Sequence, residues 1–331
     1  MMKTHKILIL LIAVVLTACN NVPVENTPIP TQVVVPTQVA AATLVPTISA
    51  AITRPTPAAT AVLTATPLPV KITPPSPTSP VTLNPVHPIV VYPPYDSASG
   101  YLLGGSQNGK WLDPAATAKS LKGGENYLLY TDKVIAGAYT GGVPAGGEPS
   151  CSRMQSVTLK PKPTVLGVFA IGGTWNALPR IPQELPVSTD TYRQAIARLL
   201  QDNGIAAPEI VLTRILKIDL EGDGVDEVII SANRFAEKTG HDVSVGDYSL
   251  VVLRKVSGNT VLTLPLVANY YLKAQKLAYP NQYTLATILD LNGDGKMEIG
   301  VGITGWEKVG ALGYEVEGNA VKNVLRMSCS E

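Results

Sequence analysis

Two nine-residue stretches built to one plan constrain this chain more than anything else in it. Asp219-Leu-Glu221-Gly-Asp223-Gly224-Val-Asp-Glu227 and Asp290-Leu-Asn292-Gly-Asp294-Gly295-Lys-Met-Glu298 both carry a side-chain oxygen at positions 1, 3, 5 and 9 and glycine at positions 4 and 6. Apolar, largely β-branched residues flank both: Leu216-Lys-Ile218 and Val228-Ile-Ile230 around the first, Thr287-Ile-Leu289 and Ile299-Gly-Val301 around the second. Such runs read as strands, so each stretch is a turn joining two strands. A hard cation such as Ca²⁺ takes six to eight oxygens in a flexible cage. Alternating acids on a tight loop supply them, and glycine at position 6 permits the turn. The candidate ligands are Asp219, Glu221, Asp223 and Glu227 in the first loop and Asp290, Asn292, Asp294 and Glu298 in the second, with the backbone carbonyls of Val225 and Lys296 at position 7. A metal-free polar turn is the alternative, because Asp, Asn and Gly favour turns unaided. Two copies with matched spacing favour the metal, and the expectation is about two Ca²⁺ sites. Charge ranks the first loop, with four acids, above the second, with three and Asn292; the long Glu221 is the feature that opposes this ranking.

The loops belong to a duplication. Gly258-Asn259 lies downstream of the first and Gly318-Asn319 downstream of the second, each between apolar runs, as in a hairpin. An EF-hand needs a bidentate Glu at position 12 and helices on both sides, and position 12 is Ile230 or Val301 here. The strand–acidic loop–strand arrangement resembles instead the FG-GAP or VCBS-type repeats of integrin α-chain propellers and bacterial surface proteins. The resemblance implies Ca²⁺ held in a β-hairpin loop and a binding or structural role. Closed propellers need about four blades or more, and two copies are visible, so a complete propeller is not expected. Position 9 is Glu in both copies, where that family usually has Asp.

Residues 1–19 read as a secretory signal: Lys3 and Lys6 precede an apolar run, Ile7 to Leu16, too short to span a bilayer. The run ends in Leu16-Thr17-Ala18-Cys19, which resembles the bacterial lipobox. That resemblance implies a diacylated Cys19 and export with lipid anchoring to the bacterial cell membrane, facing outside. Several acyl chains anchor stably where one is marginal. Residues 20–95 are rich in Pro, Thr, Val and Ala, with more than half of the 28 prolines. Proline removes donors and fixes φ, so this stretch reads as an extended, disordered stalk with a reach of up to about 200 Å at roughly 3 Å per residue.

The folded part is expected from residue 96. Residues 96–187 read as a small α+β or β-rich unit, with a helix capped at Asp113-Pro114 and strand-like runs at 127–131, 134–139, 156–159 and 165–171. Residues 188–331 read as one amphipathic helix, 188–203, followed by the two repeats. Tyr192, Ile196, Leu199 and Leu200 form its apolar stripe. The fold class is therefore mostly β, α+β overall.

Cys151 and Cys329 are the remaining cysteines and a candidate disulfide in an exported protein, with two free thiols as the alternative. A net charge of +1 without long basic runs argues against nucleic-acid binding. No catalytic constellation stands out. His241 is the one histidine of the folded part and lies in a polar loop, and HExxH and GxSxG are absent. These features favour a surface-exposed, calcium-binding lipoprotein acting as a binding or adhesion module for carbohydrate or protein. The alternatives are an extracellular hydrolase with calcium as scaffold, whose carboxylate pair would follow no sequence spacing, and a solute-capturing module.

Overall fold

The computed structural model describes residues 85–92, 100–147, 151, 154–237, 240–306 and 308–329. The signal-like segment, Cys19 and most of the Thr/Pro-rich stretch lie outside the described residues. No helix among those described is long and apolar enough to cross a membrane.

Among the described residues the chain builds three open antiparallel sheets and two helices. The first sheet contains β1 (His87–Tyr92), β2 (Gly100–Gln107), β3 (Lys110–Leu112), β4 (Asn126–Tyr130), β5 (Ile135–Gly141), β6 (Ala145–Gly146), β7 (Gln155–Val157), β8 (Leu159–Lys160) and β9 (Val168–Ile171). Helix α1 (Pro114–Ser120) follows β3. The Asp113 carboxylate accepts the Ala116 N–H at 2.7 Å and Pro114 opens the helix, the arrangement its sequence calls for.

One boundary differs from the sequence expectation. Strand β1 lies within 20–95, the stretch read as stalk, yet it sits mid-sheet between β2 and β9 with Ile89 to Tyr92 buried. Folded structure therefore begins before residue 96. Pro88 falls near the strand's start, where a missing donor is tolerated. The run Ile-Val-Val-Tyr that follows is apolar enough to bury on both faces.

The second sheet runs β10 (Gln183–Glu184), β11 (Leu212–Ile218), β12 (Glu227–Arg234), β13 (Asp247–Ser257) and β14 (Thr260–Tyr271) in order. The third runs β15 (Gln282–Leu289), β16 (Glu298–Gly305), β17 (Lys308–Glu317) and β18 (Ala320–Cys329). Strands β11–β14 and β15–β18 are thus two four-stranded meanders of the same order, each with its acidic loop between the first two strands. Gly258 and Gly318 have φ of 57° and 58° and turn the β13–β14 and β17–β18 hairpins with the asparagine that follows. Glycine at the first central position is what a type II′ turn requires.

Helix α2 (Asp190–Asp202) lays its stripe on the second sheet: Ile196 and Leu200 are buried against Ile215, Ile230, Tyr248 and Val252, with Tyr192 and Leu199 packed at the margin. Its N-cap, Thr189, turns its hydroxyl back to the Pro186 carbonyl at 2.7 Å, away from the helix N–H groups. The main core draws on all three sheets, joining Ile89, Phe169 and Ile171 to Leu216, Ile229 and Val251 and to Ile288, Ile299 and Val301. Gly300 is part of that junction. A Cβ there would stand 2.7 Å from Thr287 and 3.0 Å from the Phe169 ring. Cys151 and Cys329 are joined, with Cα atoms 4.9 Å apart, tying the end of β18 to the β6–β7 connection.

Candidate functional site

The two acidic loops fold alike. Positions 4 and 6 are left-handed in both: Gly222 and Gly224 at φ 77° and 86°, Gly293 and Gly295 at 82° and 85°. The position-1 aspartate accepts the N–H groups so turned inward. Asp219 takes those of Gly222 at 2.6 Å and Gly224 at 2.9 Å, and Asp290 takes those of Gly293 at 2.6 Å and Gly295 at 3.0 Å. The position-5 aspartates accept the N–H of position 7, Val225 at 2.9 Å and Lys296 at 2.8 Å. The position-9 glutamate reaches back across each loop: Glu227 accepts Leu220 N–H at 3.0 Å, and Glu298 accepts Leu291 N–H at 2.7 Å. Leu220, Leu291 and Met297 are buried beneath.

The loops lie side by side, stapled by the segment after β9. Arg180 donates Nε to the Asp219 carbonyl at 2.6 Å and Nη2 to the carbonyls of Leu220 at 3.1 Å and Gly295 at 2.8 Å. Trp175 donates Nε1 to the Asp290 carbonyl at 2.8 Å, and Met297 N–H bonds the Leu220 carbonyl at 2.9 Å. A Cβ at Gly293 would stand 2.9 Å from the Trp175 ring, and one at Gly222 3.1 Å from the Arg180 guanidinium. Glycine at position 4 therefore serves packing as well as backbone conformation.

The loops differ in what faces the position-9 glutamate from the third strand. Register aligns Val228 with Arg254 and Ile299 with Tyr314, so Lys255 and Glu315 occupy equivalent places. In the first repeat Lys255, 8% exposed, sets its ammonium on Glu221 and within 3.2 Å of Glu227. Burial alone would push the Lys255 ammonium down, but the two carboxylates outweigh it and raise it. In the second repeat Glu315 brings a carboxylate instead. It is held ionised against its burial by Trp111 Nε1 at 2.9 Å and Lys322 Nζ at 3.0 Å. Glu298 is 2% exposed and pairs with no ammonium or guanidinium among the described residues. Burial first, then the Asp294, Asp290 and Glu315 carboxylates, push it up to about 9, against the Leu291 N–H. Burial also raises Asp290. Burial acts the same way on Asp219, but the N–H groups of Gly224, Gly222 and Asp223 and the Arg180 charge prevail and hold it low.

The ten candidate ligands are thus in two adjacent loops. Among the described residues no three Asp, Glu, His or Cys side chains already converge as a bound ion would require. The donor sets nonetheless fit a hard cation unequally. The first loop already contains an ammonium, so it fits poorly. The second offers Asp290, Asn292, Asp294 and Glu298 with no ammonium in ion-pair contact with them among the described residues, beside a cleft of about 300 Å³ lined also by Glu315, Lys296 and Lys322. Counting acids within each loop misses Lys255, which comes from a strand far along the chain. Searches against protein families, curated proteins and solved structures find no match for the chain.

Proposed function

We propose that this chain is an exported, lipid-anchored binding module that displays a calcium-stabilised β domain at the cell surface. The observation that carries the metal is the exchange of Lys255 for Glu315 at equivalent register positions, which leaves the buried Glu298 without an ion-pair partner among the described residues. Buried charges are paired or coordinate metals. In this reading the first loop has an internal cation and the second takes Ca²⁺ through Asp290, Asn292, Asp294 and Glu298, so one site replaces the two suggested by spacing. The ion would supply positive charge to the loop's carboxylates, draw them together and fix the turn, and its binding free energy adds to folding. The strand–acidic loop–strand form supports kinship with FG-GAP or VCBS-type repeats. The Leu16-Thr17-Ala18-Cys19 sequence supports the anchor.

A glycosidase needs a raised acid in its cleft. The raised carboxyls Asp290 and Glu298 belong to the loop this reading gives to the ion, which favours binding over hydrolysis.

Thermal unfolding of the full chain in detergent tests the reading. Calcium at a hundredfold excess over Kd stabilises one site by about 2.7 kcal/mol. The shift is expected to vanish in Asp294→Ala and persist in Asp223→Ala, with one calcium per chain by elemental analysis. Identical melts in calcium and EDTA would reduce the loops to plain turns.

A further inference from the structure

A second feature stands at the opposite ends of β12 and β16 from the acidic loops. There Phe235 and Gly240 on one side and Thr304 and Trp306 on the other line a cleft of about 800 Å³, within the range of small-molecule sites. Its wall carries the amides of Asn233 and Gln282, the Thr304 hydroxyl, the Arg234 guanidinium and the rings of Phe235 and Trp306.

The cleft is built beforehand. The Asp247 carboxylate, fully buried, accepts Arg234 Nη1 at 2.6 Å and the N–H groups of Ala236 at 2.9 Å and Ser244 at 2.7 Å, fixing both ends of the connection. Arg234 Nε also donates to Glu209 at 3.1 Å. The His241 ring meets Trp306 edge-on with centroids 4.1 Å apart, and Tyr279 N–H holds the His241 carbonyl at 3.0 Å. Trp306 is nevertheless 48% exposed. A large ring held in place by neighbours, with a face left to solvent, is a stacking platform. The Asn233 amide nitrogen is buried on the cleft wall with no acceptor among the described residues. A buried donor without a partner is costly unless something outside the protein supplies one.

We infer that this cleft binds an oligosaccharide, stacking a sugar face on Trp306 and giving a sugar oxygen to the Asn233 amide. A pyranose combines an apolar C–H face with a rim of hydroxyls, which matches a ring beside neutral amides and a hydroxyl. Among the described residues Arg234 is paired with Asp247 and Glu209, and Asp242 with Lys276 at 2.6 Å, while Glu237 adds a further carboxylate to the lining. That surplus of carboxylates disfavours a phosphate, and a neutral sugar is indifferent to it. The inference rests on reading the chain as a binding module and is independent of calcium, since the cleft and the metal loop sit at opposite strand ends.

The test is a titration of the full chain in detergent with cellohexaose and with chitohexaose, in calcium and again in EDTA, followed by tryptophan emission and calorimetry. Saturable binding is expected for at least one sugar. Trp306→Ala should weaken it at least about tenfold, a loss of about 1.4 kcal/mol. Trp306→Phe should retain most of it, and Asn233→Ala should weaken it with an unchanged melt. No saturation by either sugar up to about 10 mM, a range covering Kd values above the millimolar, overturns the inference. So does a Trp306→Ala variant that binds like the parent, or capture of an oligolysine peptide in preference to both sugars. Calcium stabilisation without sugar binding defeats this inference alone. Sugar binding without a calcium shift defeats the metal reading alone.

Discussion

Glu298→Gln separates the two halves of the metal argument in one experiment. The buried carboxyl is pushed from 4.5 up to about 9, so at pH 7 the folded protein carries it protonated while the unfolded chain does not. Each unit between the ordinary value and pH 7 is worth about 1.4 kcal/mol, which makes the cost of neutralising it about 3 kcal/mol. Glutamine is neutral already, and its oxygen can still accept the Leu291 N–H. In EDTA at pH 7 the variant should therefore be more stable than the parent by up to about 3 kcal/mol, a rise in Tm of about 5–10 °C for a domain this size. The sign with pH follows. The folded state binds the extra proton, so the parent's EDTA stability is greatest below about 4.5 and falls as pH climbs towards about 9. The variant should lack that slope. In calcium the order should reverse, because in the proposed reading Glu298 is a ligand and the parent gains stability that the glutamine variant does not. Differential scanning calorimetry in EDTA and in calcium, from pH 5 to 9, reads all three effects. A variant that melts below the parent in EDTA, or one that keeps the full calcium shift, would refute the reasoning.

Lys255→Met should strand the buried Glu227 and destabilise the protein by about 3–5 kcal/mol in EDTA. Calcium should then rescue it with a larger Tm shift than the parent shows, as the first loop acquires a vacancy for the ion. Gly293→Ala should cost more than Gly295→Ala in urea melts. Both put a Cβ on left-handed backbone, about 1–2 kcal/mol, but only at position 293 does the new carbon meet the Trp175 ring. Reducing the Cys151–Cys329 bond, which closes a separation of 178 residues, should lower stability by about 2–5 kcal/mol, measured as urea midpoints with and without dithiothreitol.

What the sequence disclosed was local. Gly-Asn pairs marked both long hairpins, Asp113-Pro114 marked the start of α1, and the spacing Tyr192, Ile196, Leu199, Leu200 marked the buried face of α2. Each signal lives within one turn or one helix face, where neighbours in the chain are neighbours in space. The features that distinguish one acidic loop from the other are not of that kind. Lys255 stands in an apolar strand run and comes to face Glu227 only through the pairing register of β12 with β13. Arg180 and Trp175 reach the loops from the connection between β9 and β10, and His241 in its polar loop gives no hint of the Trp306 ring it meets. Strand β1 was hidden differently. Its four apolar residues sit among Pro85, Pro88, Pro93 and Pro94, so average composition speaks for the neighbours and not for the strand.

The position of β1 also decides how this domain would carry a mechanical load. Any pull on the chain ahead of His87 enters the fold through β1, which is bonded to β2 on one side and β9 on the other. An edge strand can be peeled away one ladder at a time. A central strand must give up two ladders together and expose Ile89 through Tyr92 as it leaves. Tension from that end is thus spread at once across the middle of the largest sheet, and the first element to feel the force is among the hardest to extract.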